Sequence, residues 1–204
     1  MPATPTPRLT LAERRKAETR LDIARTAARL FAENGTAAVT AEQIAAESGI
    51  GLRTFYRYAR TKEDAVEPML AAGAQRWLAA IAAGPHRLPT LAELETAAVA
   101  SMTADGNDDD LEITRGLLRA MDGDPALRDV WHRINMEGER ELRSVLADLT
   151  GPDTDPLRLR LLAAAAAGAI RIALEQWAAI DSPSAAELPA ALVSRCLHAL
   201  AAGV

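Results

Sequence analysis

Ser48-Gly49-Ile50-Gly51-Leu52-Arg53-Thr54-Phe55-Tyr56-Arg57-Tyr58 is the stretch on which the reading of this chain turns. Just before it, Thr40 and Gln43 stand at capping-box spacing, with Val39 and Ile44 placed for a hydrophobic staple. They open a short apolar helix that ends in Ile44-Ala45-Ala46-Glu47. Gly49 suits the left-handed residue of a tight turn between helices. A second short helix then carries arginines and tyrosines. Two short helices joined by a glycine turn form a helix-turn-helix, whose second helix enters the major groove of DNA.

Working outward, the punctuation of the chain predicts an all-α protein. Thr10-Leu11-Ala12-Glu13 is a capping box opening a long first helix, and Ile23, Ala27, Leu30 and Phe31 share one of its faces. Asn34-Gly35 stops it. Thr61 and Asp64 match cap and third position for a fourth helix running to about Ala82. Further helices are expected over 91–102, 111–121, from Pro125 to about Leu149, 156–180 and 184–202, with a polar break at 105–110. Phe31, Ile44, Ile50 and Phe55 are expected to form the small core of the reader. In the helix after Pro125, Leu127, Val130, Trp131, Ile134, Leu142, Val145 and Leu149 are expected inward. The division expected is a flexible arm over 1–9, a DNA-binding domain over 10–60 and a ligand-binding and dimerisation domain over 61–204.

Val39 to Ile50, followed by Phe55-Tyr56-Arg57-Tyr58 and Lys62-Glu63, closely resembles the DNA-binding domain of TetR-family bacterial regulators. The resemblance runs from about Arg15 to Val66. Two positions depart from it: Gly51 stands where the family has a Ser or Thr cap, and Ala59 where it has Phe. Leu52, Arg53 and Thr54 lie at the start of the recognition helix, where side chains meet base edges. Arg53 has the fork that pairs with guanine O6 and N7, and Leu52 suits a thymine methyl. The resemblance implies phosphate contacts for Tyr56, Tyr58 and Lys62. Arg57 is a further candidate, and Thr40 at a helix N-terminus suits phosphate. Arg8, Arg14 and Arg15 are candidates for a minor groove.

The net charge of −5 argues at first against nucleic acid, but its distribution reverses that. Residues 1–62 hold 11 basic and 6 acidic residues, a local charge of +5; the remainder holds 12 and 22, a charge of −10. A basic head on an acidic body suits a protein that meets phosphate at one end. The single cysteine, Cys196, excludes an intrachain disulfide and fits the cytoplasm. The N-terminal stretch lacks the apolar region of a signal peptide, and no apolar run is long enough to span a membrane. Scarce lysine beside abundant arginine and alanine points to a GC-rich bacterial genome.

A short recognition helix covers few base pairs, so a homodimer on a near-palindromic double-stranded operator is expected. The last two helices are candidates for the dimer surface, through the small residues of 163–169 and the apolar stripe Leu188, Leu192, Val193, Cys196, Leu197 and Leu200. TetR relatives bind a small-molecule effector in the helical body. A fainter resemblance to the acyl-CoA-like branch runs through the arginine-bearing helix with Arg115 and Arg119, then 124–128, then Ile170 to Trp177. It implies an elongated lipophilic ligand met by Arg115, Arg119, Trp131, His132, Asn135, Met136, Arg171, Glu175 and Trp177. Arg171 and Glu175 are also spaced to pair with each other.

Other chemistry is excluded or unsupported. Gly49-Ile50-Gly51 lacks the third glycine and the preceding strand of a dinucleotide loop. The loop from Asp105 lacks the Gly and Glu of an EF-hand. His86, His132 and His198 have no metal spacing. No nucleophile and base pair is evident, so neither enzyme activity nor a cofactor is expected. The reading is a ligand-released repressor; the different-class alternative is a helical small-molecule-binding protein or enzyme without DNA function.

Overall fold

The computed structural model describes residues 10–103 and 108–202, and among these it contains nine α-helices, three short 3-10 turns and no strand. The expected arm over 1–9 and residues 105–107 of the expected polar break lie outside the described residues. The chain divides into two compact units, Met1–Pro68 and Met69–Val204.

The first unit contains α1 (Leu11–Asn34), α2 (Ala41–Glu47) and α3 (Leu52–Tyr58). The capping box of α1 forms: the Glu13 backbone donates to Thr10 Oγ1 at 3.2 Å and the Thr10 backbone donates to the Glu13 carboxylate at 2.7 Å. That bonding holds the Glu13 carboxyl below its ordinary pKa. At the other end Gly35 takes φ 78° and donates to the Phe31 carbonyl. Ile23, Ala24, Ala27, Ala28, Leu30 and Phe31 form the buried face of α1. Ile44 and Phe55, both fully buried, belong to the same unit, while Ile50 is only half-buried. Ala59 is buried at the end of α3, where its N–H donates to the Phe55 carbonyl at 3.0 Å. The small side chain there closes the turn without an aromatic. Arg29 bonds Glu33 one turn along and Glu47 at the end of α2, tying α1 to α2.

The expected fourth helix begins later than Thr61. Thr61 does cap Asp64, its hydroxyl accepting the Asp64 N–H at 3.1 Å, but the turn it opens is a 3-10 turn over Asp64–Val66. The α-helix, α4 (Glu67–Ala82), follows from there.

The second unit holds the rest of α4 with α5 (Leu91–Thr103), α6 (Asp108–Ala120), α7 (Pro125–Thr150), α8 (Pro156–Ala179) and α9 (Pro189–Ala202). α6 begins three residues earlier than expected, inside the acidic run. Asp124 and Asp155 cap α7 and α8, each followed by proline at the first helical position, where a missing N–H is harmless. α8 packs against α6, α7 and α9, and α5 packs against α9. The inward residues along the middle of α8 are Ala163, Ala166, Ala169 and Ala173, with Leu159 buried before them and Trp177 after them. Small side chains let neighbouring helices approach, and the neighbours supply large ones: Leu142 and Leu146 from α7, Leu192, Val193 and Leu197 from α9. Leu146 is fully buried where the sequence reading chose Val145, which is half-buried. The two are adjacent on α7, about 100° apart around the helix, and flank the edge of its buried face.

Trp77 anchors α5 to α4 by donating its Nε1–H to the Leu94 carbonyl at 3.1 Å. No helix among the described residues is long and apolar enough to cross a membrane.

Candidate functional site

The turn before α3 explains how the reader is aimed. Gly49 takes φ 68°, and its N–H donates to the Ala46 carbonyl at 3.1 Å. The Ile50 N–H reaches back to the Ala45 carbonyl at 3.0 Å. This pair of reversed bonds is a Schellman closure, which satisfies the last carbonyls of α2 and turns the chain sharply. α3 then starts at Gly51, whose carbonyl accepts from Thr54 and Phe55 at 2.8 and 3.0 Å. No side chain caps this helix. Thr40 caps α2 with its hydroxyl on the Gln43 N–H at 3.2 Å, and the Gln43 amide oxygen accepts the Thr40 N–H at 2.8 Å.

Phe55 anchors α3 inward, so the helical period throws Arg53, Tyr56 and Arg57 outward, and all three are exposed. Tyr56 is 52% exposed, although its ring meets Phe55 edge-on at 5.4 Å. Leu52, Thr54 and Tyr58 are half-buried at the flanks of that face. An outward aromatic beside two arginines without carboxylate partners among the described residues is costly to keep in water and well suited to a polyanion.

Lys62, expected at phosphate, has a structural task as well. Its ammonium donates to the Thr36 and Val39 carbonyls at 2.5 and 2.8 Å and lies 3.7 Å from Glu63. It therefore pins the segment that leads into α2.

In the second unit the expected ligand residues separate into two clusters and two outward side chains. Trp131, on α7, donates Nε1–H to the Glu175 carboxylate at 2.8 Å, and Arg171 bonds both oxygens of the same carboxylate at 3.1 and 2.9 Å. Asn135 turns its amide onto the Trp131 carbonyl at 2.8 Å. His132 and Met136, one position further along α7 from each, point to solvent. A step of about 100° per residue separates them from their inward neighbours.

Arg115 and Arg119 serve the end of α8. Arg115 donates to the Ile180 and Asp181 carbonyls, the latter at 3.0 Å. Arg119 donates to the Ala178 and Ile180 carbonyls at 2.5 and 2.8 Å and meets the Asp181 carboxylate at 3.2 Å. Sequence reading gave these arginines to a ligand; the structure shows them satisfying the carbonyls that a helix end leaves without partners. The Arg115 guanidinium also lies 5.6 Å from the ring centroid of Trp177. Arg115 Nε and Trp177 Nε1 are both buried without an acceptor among the described residues.

Comparison with known proteins follows from this geometry. Residues 23–67 match the family model described as bacterial regulatory proteins, tetR family. Residues 88–204 match the model described as MftR C-terminal domain. The chain belongs to the TetR family. The two family matches cover the reader and most of the body, so the two units described above are a TetR-type helix-turn-helix domain and a helical domain of a TetR regulator. The TetR-type fold extends over similar solved structures. One is the fatty acid degradation regulator FadR of Bacillus halodurans, with 19% identity, 91% of this chain and 96% of that chain covered, and a TM-score of 0.58. A second is a putative TetR-family regulator of Mesorhizobium loti, with 18% identity, 93% and 98% covered, and a TM-score of 0.54. A third is the Thermus thermophilus FadR in complex with lauroyl-CoA, with 20% identity, 91% and 94% covered, and a TM-score of 0.53. No curated protein matches the chain significantly.

Two elements of this TetR regulator escaped the sequence reading. One is the Arg29–Glu47 tie between α1 and α2, which has no local spacing signal because the partners are 18 residues apart. The other is the pair of arginines on the α8 carbonyls, invisible because carbonyls have no letter in a sequence.

Proposed function

We propose that this TetR-family protein is a dimeric repressor that reads a near-palindromic operator with α3 and releases it on binding a small lipophilic effector. The observation that carries the reading is the outward face of Arg53, Tyr56 and Arg57 on a helix aimed by the Gly49 turn. Arg53 is the direct reader, with Leu52 and Thr54 beside it, Tyr56, Arg57 and Tyr58 toward the phosphates, and Thr40 and Lys62 fixing the helix that crosses the backbone.

Support for a homodimer comes from an uncovered apolar stripe on α8. Leu157, Leu161 and Ile172 are 62%, 61% and 52% exposed. With the half-exposed Gly168 they share one face of the helix. Leu188 and Leu200 add exposed apolar surface before and on α9. Such a stripe is stable in water when a second copy covers it, and pairing sets two reader helices one turn of DNA apart.

For the effector, support comes from the body's chemistry. The two buried N–H donors at Arg115 and Trp177 have no acceptor among the described residues, the setting in which a ligand acceptor is favourable, and the half-buried Trp131–Glu175–Arg171 cluster adds polar groups to the same domain. The Thermus thermophilus regulator was solved with lauroyl-CoA, and an acyl-CoA-like molecule is the effector class proposed here. The ligand acts by its differential affinity for the two states of the dimer.

The test is fluorescence anisotropy on the DNA flanking the protein's own gene, against scrambled competitor at two salt concentrations, with and without lauroyl-CoA. Competitor-resistant binding that weakens with salt is expected, with lauroyl-CoA lowering affinity and quenching tryptophan fluorescence. Arg53→Ala is expected to cost about 1–3 kcal/mol of discrimination at one base pair of each half-site. Binding no better than to scrambled duplex, there and on any duplex selected from a random pool, overturns the reading.

A further inference from the structure

The reader unit has a second basic feature beside the exposed face of α3. A groove of about 620 Å³ opens between the first turns of α1 and the end of α3, lined by Ala12, Arg15, Lys16, Thr19, Arg57 and Tyr58. Arg15, Lys16 and Arg57 are exposed, and none pairs with a carboxylate among the described residues. Several neighbouring cations of the unit are engaged: Arg20 with Glu67 at 2.9 Å, Arg29 with Glu33 and Glu47, Lys62 with two carbonyls. The Thr19 hydroxyl is spent on the Arg15 carbonyl at 2.9 Å. The groove therefore presents three cationic side chains, with Tyr58 also in its lining. The Arg57 guanidinium sits 5.8 Å from the Tyr58 ring centroid, which helps to hold this wall in place.

The other wall is a length of helix that the core does not use. The first buried residue of α1 is Ile23, so the helix runs from Leu11 through Arg20 with its side chains largely in solvent. Short helical segments that pack on nothing are marginal in water. This one is closed by the Thr10–Glu13 capping box, and it carries Arg14-Arg15-Lys16 in succession. Cations gathered in one groove repel one another, and an anion between them reverses the sign of that interaction. Arg57 is one helical turn beyond Arg53 on the same face of α3. The groove thus continues the reading face outward, to where a duplex presents its phosphates.

We propose that this groove seats a backbone phosphate of the duplex that α3 reads, held by Arg15, Lys16 and Arg57 with the Tyr58 hydroxyl as a neutral donor. The inference rests on the DNA-binding reading above and adds the N-terminal turns of α1 to the interface. Phosphate contacts fix register and carry no sequence information, so their loss has a different signature from the loss of Arg53.

The experiment is a salt titration of full-length protein on the duplex it selects from a random-sequence pool. Each phosphate contact contributes about 0.9 to the slope of log K against log salt. The R15A/K16A variant is expected to lower that slope by about 0.9 and to weaken binding by about 10-fold at ~0.1 M salt, with the selected sequence unchanged. Both residues are exposed and alanine favours helix, so circular dichroism should match the parent. R25A, compared with the single variant R15A, removes one charge from the same helix outside the groove and should change the slope by less than half as much. An unchanged slope in R15A/K16A, with the parent still selective, overturns the groove and leaves the DNA reading intact. An equal loss from R25A and R15A also overturns the groove, in favour of a diffuse basic field. Failure of the parent to select any duplex overturns both.

Discussion

In the reader unit the side chains at the centre are large: Ile23, Phe31, Ile44 and Phe55. Along the middle of α8 the inward side chains are the smallest available, Ala163, Ala166, Ala169 and Ala173, with Leu159 and Trp177 at its two ends and further bulk from other helices. The two units distribute the bulk of their cores differently. A short three-helix unit has few positions to spend, so a handful of large side chains fill its centre around Ala24, Ala27 and Ala28 of α1. A long central helix with neighbours on several sides gains more by letting them come close. The difference also separates the units spectroscopically. Every Phe and Tyr of the chain lies at or before residue 58, and every Trp at or beyond residue 77.

The largest effect should come from emptying the centre of the reader. Phe55→Ala is expected to cost about 3–5 kcal/mol, the usual penalty for an aromatic deleted from a core. DNA binding should vanish while tryptophan fluorescence and the near-ultraviolet tryptophan bands persist. Simultaneous loss of both signals would mean that the units do not differ in the way their cores suggest.

Next comes the opposite perturbation in the body. Ala166→Leu is expected to destabilise by about 1–3 kcal/mol through overpacking, read as a lower midpoint of tryptophan-detected urea unfolding. An unchanged midpoint would show that α8 has room to spare. Arg115→Met should follow, at about 1–3 kcal/mol in the same assay, because it strips a donor from the Ile180 and Asp181 carbonyls. If the stability of this variant equalled the parent's, those bonds would be idle and the arginine free for a ligand.

A smaller effect, of opposite sign, is expected at Gly51. Its φ is −73° and nothing lies within 4 Å of a Cβ built there. Gly51→Ser can therefore supply the missing cap of α3 without strain and should gain a few tenths of a kcal/mol in the thermal unfolding of the reader. A loss would show that the uncapped start of α3 is needed as it is.

The smallest effect concerns pH. Arg87, followed by the Thr90 backbone, holds the Glu93 carboxyl well below its ordinary value, at about 2. Its stabilising contribution is complete above the unfolded value of 4.5 and fades as pH falls from there through about 2. Glu93→Gln should flatten acid-induced unfolding of the body within that window and leave the neutral region nearly unchanged. The pair is exposed, so the change is slight.

How much was legible follows from the same contrast. Capping boxes at Thr10 and Thr40, the Gly49 turn and the apolar period of α1 are local signals, set by residues three or four apart, and the structure realises each of them. Thr61 carried an equally good cap signal but opens a 3-10 turn, since a cap specifies where a turn begins and not how far it continues. In the body, a run of alanines has no preferred side. The sequence reading assigned the whole of 163–169 to a dimer face, yet Ala163, Ala166 and Ala169 are buried within the protomer, and only the residues between them are partly exposed. The stripe on α9 divides in the same way, with Leu192, Val193 and Leu197 inside and Leu188 and Leu200 outside.

The helix class, the helix-turn-helix and the polarity of its reading helix were decided by the sequence, because backbone propensity, caps and glycine turns act over a few residues. The destinations of Arg115, Arg119, Lys62 and the α8 alanines were decided by the tertiary structure. A long cation can satisfy a helix end, a loop carbonyl or a bound anion equally well. Which of these lies within reach is a property of how distant helices come to be neighbours.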